Sequence, residues 1–149
     1  MKAFLALSFM TTRELFSSPA VKVTLTSEAP PEIPHLRLIS VTNQDIDSET
    51  INSILDATDS LLDKGEHFKS SWDLRNCKVP SMPVVAKCIK WALSRKSKLD
   101  NLNKRMAVCM PDRPALMSVV RLVLKAFGPV CPVKVSNDVE ECEEFMKQC

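Results

Sequence analysis

Val21 to Thr26, VKVTLT, alternates apolar and polar residues with period two and is rich in β-branched side chains, the pattern of a half-buried strand. The segment SEAPPEIP holds three prolines and two acids and reads as a loop. It leads to a second strand over His35 to Val41, and the two are expected to pair antiparallel. From Asp47 to Lys64, Ile51, Ile54, Leu55, Thr58, Leu61 and Leu62 recur at spacings of three and four, which predicts an amphipathic helix. Asp47 or Ser48 is suited to cap its start, and Gly65 stands where a left-handed residue ends a helix.

HFKSSWDLRN reads as a third strand. Val84, Val85, Cys88, Ile89 and Ala92 mark a second helix, running over 84–95 into the basic stretch SRKSKLDNLNKR. A fourth strand, Met106 to Met110, precedes Pro111 and Asp112. Leu116, Val119, Val120, Val123, Leu124 and Phe127 define a third helix that Gly128 and Pro129 stop. CPVKVS is a fifth strand. NDVEECEEFMKQ closes the series as a helix, with Asn137 and Glu140 spaced as a capping box. From the third strand onward the order alternates β and α, which implies parallel strands joined by right-handed crossovers. The expected fold is α/β: a mixed sheet of about five strands with about four helices packed on it.

A chain of 149 residues matches one domain, able to bury about two thirds of its unfolded surface. That domain is assigned to residues 21–149, after an N-terminal extension, 1–20. MKAFLALSFM places a lysine before a short apolar stretch, as a targeting segment does, but Thr-Thr-Arg-Glu follows it. An extra strand or short helix packed on the domain is the reading preferred. No apolar run approaches the roughly 20 residues of a membrane span.

The net charge of +2 conceals segregation. Residues 27–63 carry eight acids against Arg37 alone, or −7; residues 64–125 carry fourteen Lys or Arg against four acids, or +10; the rest of the chain after 125 returns −3. If these blocks face different ways, the molecule can orient a charged partner. The six cysteines include no CxxC pair, and four lie in apolar segments where Cys acts as a small hydrophobe. They are read as reduced, in a cytoplasmic protein. With only His35 and His67 to add, no zinc site of usual spacing exists.

Two glycines in the whole chain cannot build a phosphate-cradling loop. The histidines lie in no nucleophile context, so a serine or cysteine hydrolase is not expected. Arg95, Lys96, Lys98, Lys104 and Arg105 form a basic patch in the sequence, but no aromatic residues interleave them, and nucleic-acid binding is not expected. Neither a metal nor a cofactor is called for.

One serine, Ser81, stands between Pro80 and the pair Met82-Pro83, where strand gives way to helix. Its hydroxyl is placed to cap the helix, with proline in the first turn. PDRP at 111–114 repeats the device, with Asp112 as cap and Arg113 beside it as an anion-site candidate. The element order, with DLRNCKVPSMPVVAKCIKWA at its centre, resembles the STAS family, the sulfate transporter and anti-sigma-factor antagonist domains. Asp73-Leu74 falls on that family's strand end and Ser81 on the first serine of its Asp-Ser-Ser-Gly-like turn. Met82 replaces the second serine and prolines replace the flanking Asp and Gly. The resemblance spans roughly residues 21–147. It implies a small regulatory or scaffolding domain, not an enzyme, that binds a protein partner near the turn and is switched in antagonist members by phosphorylation of the turn serine. A more distant resemblance is to lipid-transfer domains of the CRAL-TRIO type, which need a larger apolar cavity than a domain of this length readily encloses.

The functional expectation is protein–protein interaction through the turn at 79–83 and helix 84–95. Ser81, Asp73, Met82, Lys87 and Lys90 are the interaction or phosphorylation candidates. The alternative is a module of the same fold that binds a small anion or lipid.

Overall fold

The structure is a computed structural model that describes residues 11–27, 33–42 and 44–148. One six-stranded sheet organises it, built from β1 (Thr11–Ser17), β2 (Val21–Ser27), β3 (His35–Ser40), β4 (Phe68–Asp73), β5 (Asn103–Cys109) and β6 (Val133–Ser136). The strands lie side by side in chain order. β1 to β3 pair antiparallel, and β3 to β6 pair parallel, so the sheet is mixed. Among the described residues five helices accompany it: α1 (Ser48–Asp63), α2 (Met82–Ser94), α3 (Lys96–Leu102), α4 (Pro114–Phe127) and α5 (Val139–Lys147).

Alternation along the strands divides the core. One sheet face presents Val23, Leu36, Phe68 and Met106 to Ile51, Ile54, Leu61 and Leu62 of α1, Val84 and Ala92 of α2, Leu99 and Leu102 of α3, and Phe127 of α4. Val108 and Met110 continue it against Leu116 and Val120. The intervening residues of β5, Ala107 and Cys109, face the other way and meet Cys142 and Met146 of α5. Among the described residues, four helices thus cover one face and a single short helix the other.

Two elements exceed the expected count. Thr11–Ser17, inside the segment read as an extension, is an edge strand hydrogen-bonded to β2, with only Leu15 and Phe16 packed on the core. Residues 1–10 lie outside the described residues. The basic run after α2 breaks at Arg95 into α3, which turns Leu99 and Leu102 inward.

The caps also differ in part from expectation. Asp47 caps α1, accepting the Thr50 N–H at 2.8 Å. At α5 the cap is Asp138, which accepts from the Glu140 N–H, not Asn137, whose amide donates instead to Asp112 at 2.9 Å. That bond draws Asp112 away from α4, where Arg113 holds the cap position and donates no side-chain bond to it. Gly65 and Gly128 both adopt positive φ, 70° and 52°, ending α1 and α4 as the sequence requires.

Candidate functional site

Four parallel strands end at one edge of the domain, and the loops that leave them converge there. The Ser40 hydroxyl donates to the Asp73 carbonyl at 2.9 Å and accepts the Asn76 N–H at 3.0 Å. The Asn76 amide reaches the Ser40 carbonyl. Leu74 N–H bonds to Cys109 O, and Met110 N–H to Ser136 O. Arg75 folds back on Asp73 through two side-chain bonds of 2.9 and 2.7 Å. The loop before α2 is therefore pinned at its base, and Asp73 serves that framework.

Beyond the pinned base the loop presents apolar side chains to solvent. Val79 is 45% exposed and Met82 63% exposed. Ser81 occupies the N-cap position with extended backbone, but its hydroxyl makes no cap hydrogen bond; only its carbonyl enters the helix, accepting from Val85. The expected capping role is thus corrected, and the exposed hydroxyl is left available. On α2, Met82, Ala86, Ile89 and Leu93 recur at spacings of four, three and four, and so share one face. Leu93 is 55% exposed, and Ile89 is half-buried. Lys90 is exposed beside this stripe, and Lys87 is half-buried on the same helix. Val84, Val85 and Ala92 hold the opposite side in the core.

The fold disperses the five cations of the basic run. Arg95 is bound to the Asp59 carboxylate of α1 through two nitrogens and lies over the Trp91 ring, its guanidinium carbon 5.3 Å from the centroid. Lys96 donates to the carbonyls of Phe127 and Gly128, tying down the end of α4, and pairs with Asp100. Lys98 pairs with Asp63. Arg105 stands over Phe145 and donates to its carbonyl at 2.7 Å, while Lys104 is exposed on β5. Arg95, Lys96, Lys98 and Arg105 are thus engaged in contacts within the domain, and the run forms no single surface. Arg113 is exposed at the start of α4, with one long contact, 3.4 Å, to the Cys77 carbonyl.

Sequence reasoning missed one polar pair. His35 Nε2 and Ser71 Oγ lie 2.8 Å apart beneath α5, an approach set by the parallel register of β3 and β4, which spacing along the chain does not reveal. Burial, with Arg37 and Lys69 adding repulsion, pushes the imidazole pKa down to about 3, so it stays neutral. The five described cysteines are free. Burial raises the pKa of each, to about 11 for Cys88 and Cys142, which disfavours the nucleophilic thiolate. Among the described residues, no three His, Cys, Asp or Glu are grouped to hold a metal ion, and no helix is long and apolar enough to cross a membrane.

No family model matches the chain, and no curated protein matches it. Among solved structures it is similar to an uncharacterized protein of the DUF3478 family from Shewanella loihica PV-4, described as having a SpoIIAA-like fold. The TM-score is 0.59 at 10% identity, over 88% of this chain and 98% of that one. The α/β architecture is SpoIIAA-like, which agrees with the STAS resemblance read from the element order.

Proposed function

We propose that this SpoIIAA-like chain is a regulatory or scaffolding domain that acts by protein–protein interaction and carries out no reaction of its own. The observation that carries the reading is the apolar stripe Met82-Ala86-Ile89-Leu93 on the outer side of α2, continued by Val79 and edged by Lys90. Solvent-facing Met and Leu in succession on one helix are costly to leave wet, and a partner that covers them gains roughly 25 cal/mol for each Å² of apolar surface. Lys90 beside the stripe, with Lys87 on the same helix, selects the charge of that partner. It is a segment of another protein with apolar side chains along one face and acidic residues beside them.

The neutral, buried His35 and the buried, high-pKa thiols support a non-catalytic role. The free cysteines support a reducing, cytoplasmic compartment. Ser81 supplies a means of control. Its hydroxyl is exposed and unbonded at the start of α2, where a phosphate would meet the positive end of the helix and place new charge against Val79 and Met82.

Photo-crosslinking from Leu93, with Glu144 of α5 as the control position, tests the interface. The partner captured at Leu93 and then purified should bind Met82→Glu/Leu93→Glu at least about tenfold more weakly than the parent, with melting temperature unchanged. Equal affinity of the two, or crosslinks formed only from position 144, refutes this face. Intact-mass analysis of the protein from its own cells reads the state of Ser81.

A further inference from the structure

The helix layer does not fill the space above the sheet. Between them lies a cavity of about 190 Å³, lined by residues of α1, α2, α3, α4 and strands β2 to β5. Small side chains leave it open: Ala92 and Cys88 on α2, Thr58 on α1 and Ser70 on β4 stand where leucine-sized residues would close the gap. Phe68, Trp72, Trp91, Met106, Leu116 and Val120 give it apolar walls.

We propose that this cavity binds a small, uncharged, largely hydrocarbon ligand, such as an aromatic ring or a short alkyl chain. Three observations lead there. The hydroxyls of Ser70 and Thr58 in the wall are already engaged: Ser70 Oγ donates to Asn103 Oδ1 at 3.1 Å, and Thr58 Oγ1 donates to the Ile54 carbonyl at 2.9 Å. No fully enclosed side-chain nitrogen or oxygen among the described residues lacks a partner, and the mostly hydrocarbon wall offers water few of the two to four polar partners it needs to be held. The volume exceeds the roughly 150 Å³ at which an engineered apolar cavity stays dry and takes up benzene or xenon. The cavity is also not sealed, since the lining residues Leu55 and Thr58 of α1 and Cys88 and Trp91 of α2 are only half-buried. They border the seam between the two helices, where Asp59 accepts from both Trp91 and Arg95. This seam is the route of entry. The site lies on the inner side of α2, away from the exposed stripe, so it stands independently of the interaction face.

Both tryptophans of the chain line the cavity, which supplies an intrinsic readout. Iodobenzene, a contact quencher, is titrated into the intact protein with and without 1-octanol as competitor. The expected result is saturable quenching that octanol reverses. Ala92→Leu and Cys88→Leu, which occupy the space, should weaken iodobenzene binding about tenfold or more while leaving the melting temperature equal or higher. Quenching that rises linearly without saturation, or that octanol leaves unchanged, overturns the proposal on the parent protein alone. Undiminished saturable binding in a folded filling variant overturns it as well.

Discussion

Acidification should destabilise this protein through one side chain. His35 is 6% exposed and sits between β4 and α5, facing Arg37 of its own strand, Lys69, Ser71 and Asp73 of β4, and Glu143 of α5, which pairs with Arg37 at 3.1 Å. Its pKa is about 3 when folded, against 6.5 for a free imidazole. Because the folded value is depressed, the unfolded chain binds the extra proton first. The stability contribution is therefore complete above pH 6.5 and lost progressively as the pH falls toward 3. One pKa unit corresponds to 1.36 kcal/mol, so moving from pH 7 to 4.5 should cost about 2.5 kcal/mol from this residue. Urea unfolding at a series of pH values measures it, the loss appearing as a fall of about 1 M in midpoint. His35→Gln keeps a polar group near Ser71 but cannot take up the proton, so its profile should lack this slope and retain only what the carboxylates contribute. Parallel profiles for the two proteins would show that His35 protonates in the folded state, and the desolvation argument would fail.

Three further substitutions probe the framework. Ser81→Ala should change stability by less than about 0.5 kcal/mol in thermal or urea melts, whereas loss of a working N-cap costs about 1 kcal/mol; the hydroxyl makes no cap bond. Arg95→Ala releases Asp59 and uncovers Trp91, and should cost about 1–2 kcal/mol, the pair being only partly shielded from solvent. Gly128→Ala forces a Cβ onto a residue at φ 52° and should cost about 1 kcal/mol, since the nearest atom beyond α4, Lys96 Nζ at 3.4 Å, belongs to a flexible side chain.

The parallel half of the sheet was legible because each of its strands is followed by a helix whose apolar residues recur at three and four, as in α1 from Ile51 to Leu62. β1 was harder, since an edge strand that buries only Leu15 and Phe16 in part carries no alternation to read. In α3, seven residues with two inward leucines are too few for a period to emerge from the surrounding lysines. Choosing between neighbouring caps such as Asn137 and Asp138 depends on backbone angles that composition does not encode. At the site, Ser81 and the outer face of α2 could be found from the strand-to-helix junction and helical spacing. The His35–Ser71 pair could not, because it depends on parallel register, and neither could the cavity, because its volume depends on how far α2 stands from β4 and β5. That volume has an energetic weight. At about 24 cal/mol per Å³, an empty space of this size costs up to about 4–5 kcal/mol relative to a filled one.

The sequential strand order bears on how the chain acquires its structure during synthesis. No strand inserts between two earlier ones, so each new strand joins the growing edge of those already made. The sheet can be assembled in the order in which the ribosome delivers it, without reopening any pairing. Among the described elements α5 follows β6, and it is the helix that packs on the second face at Ala107 and Cys109. A chain released before Val139 lacks the helix that packs on Ala107 and Cys109. Docking of that helix is what buries Cys109 and Ala107 against Cys142 and Met146.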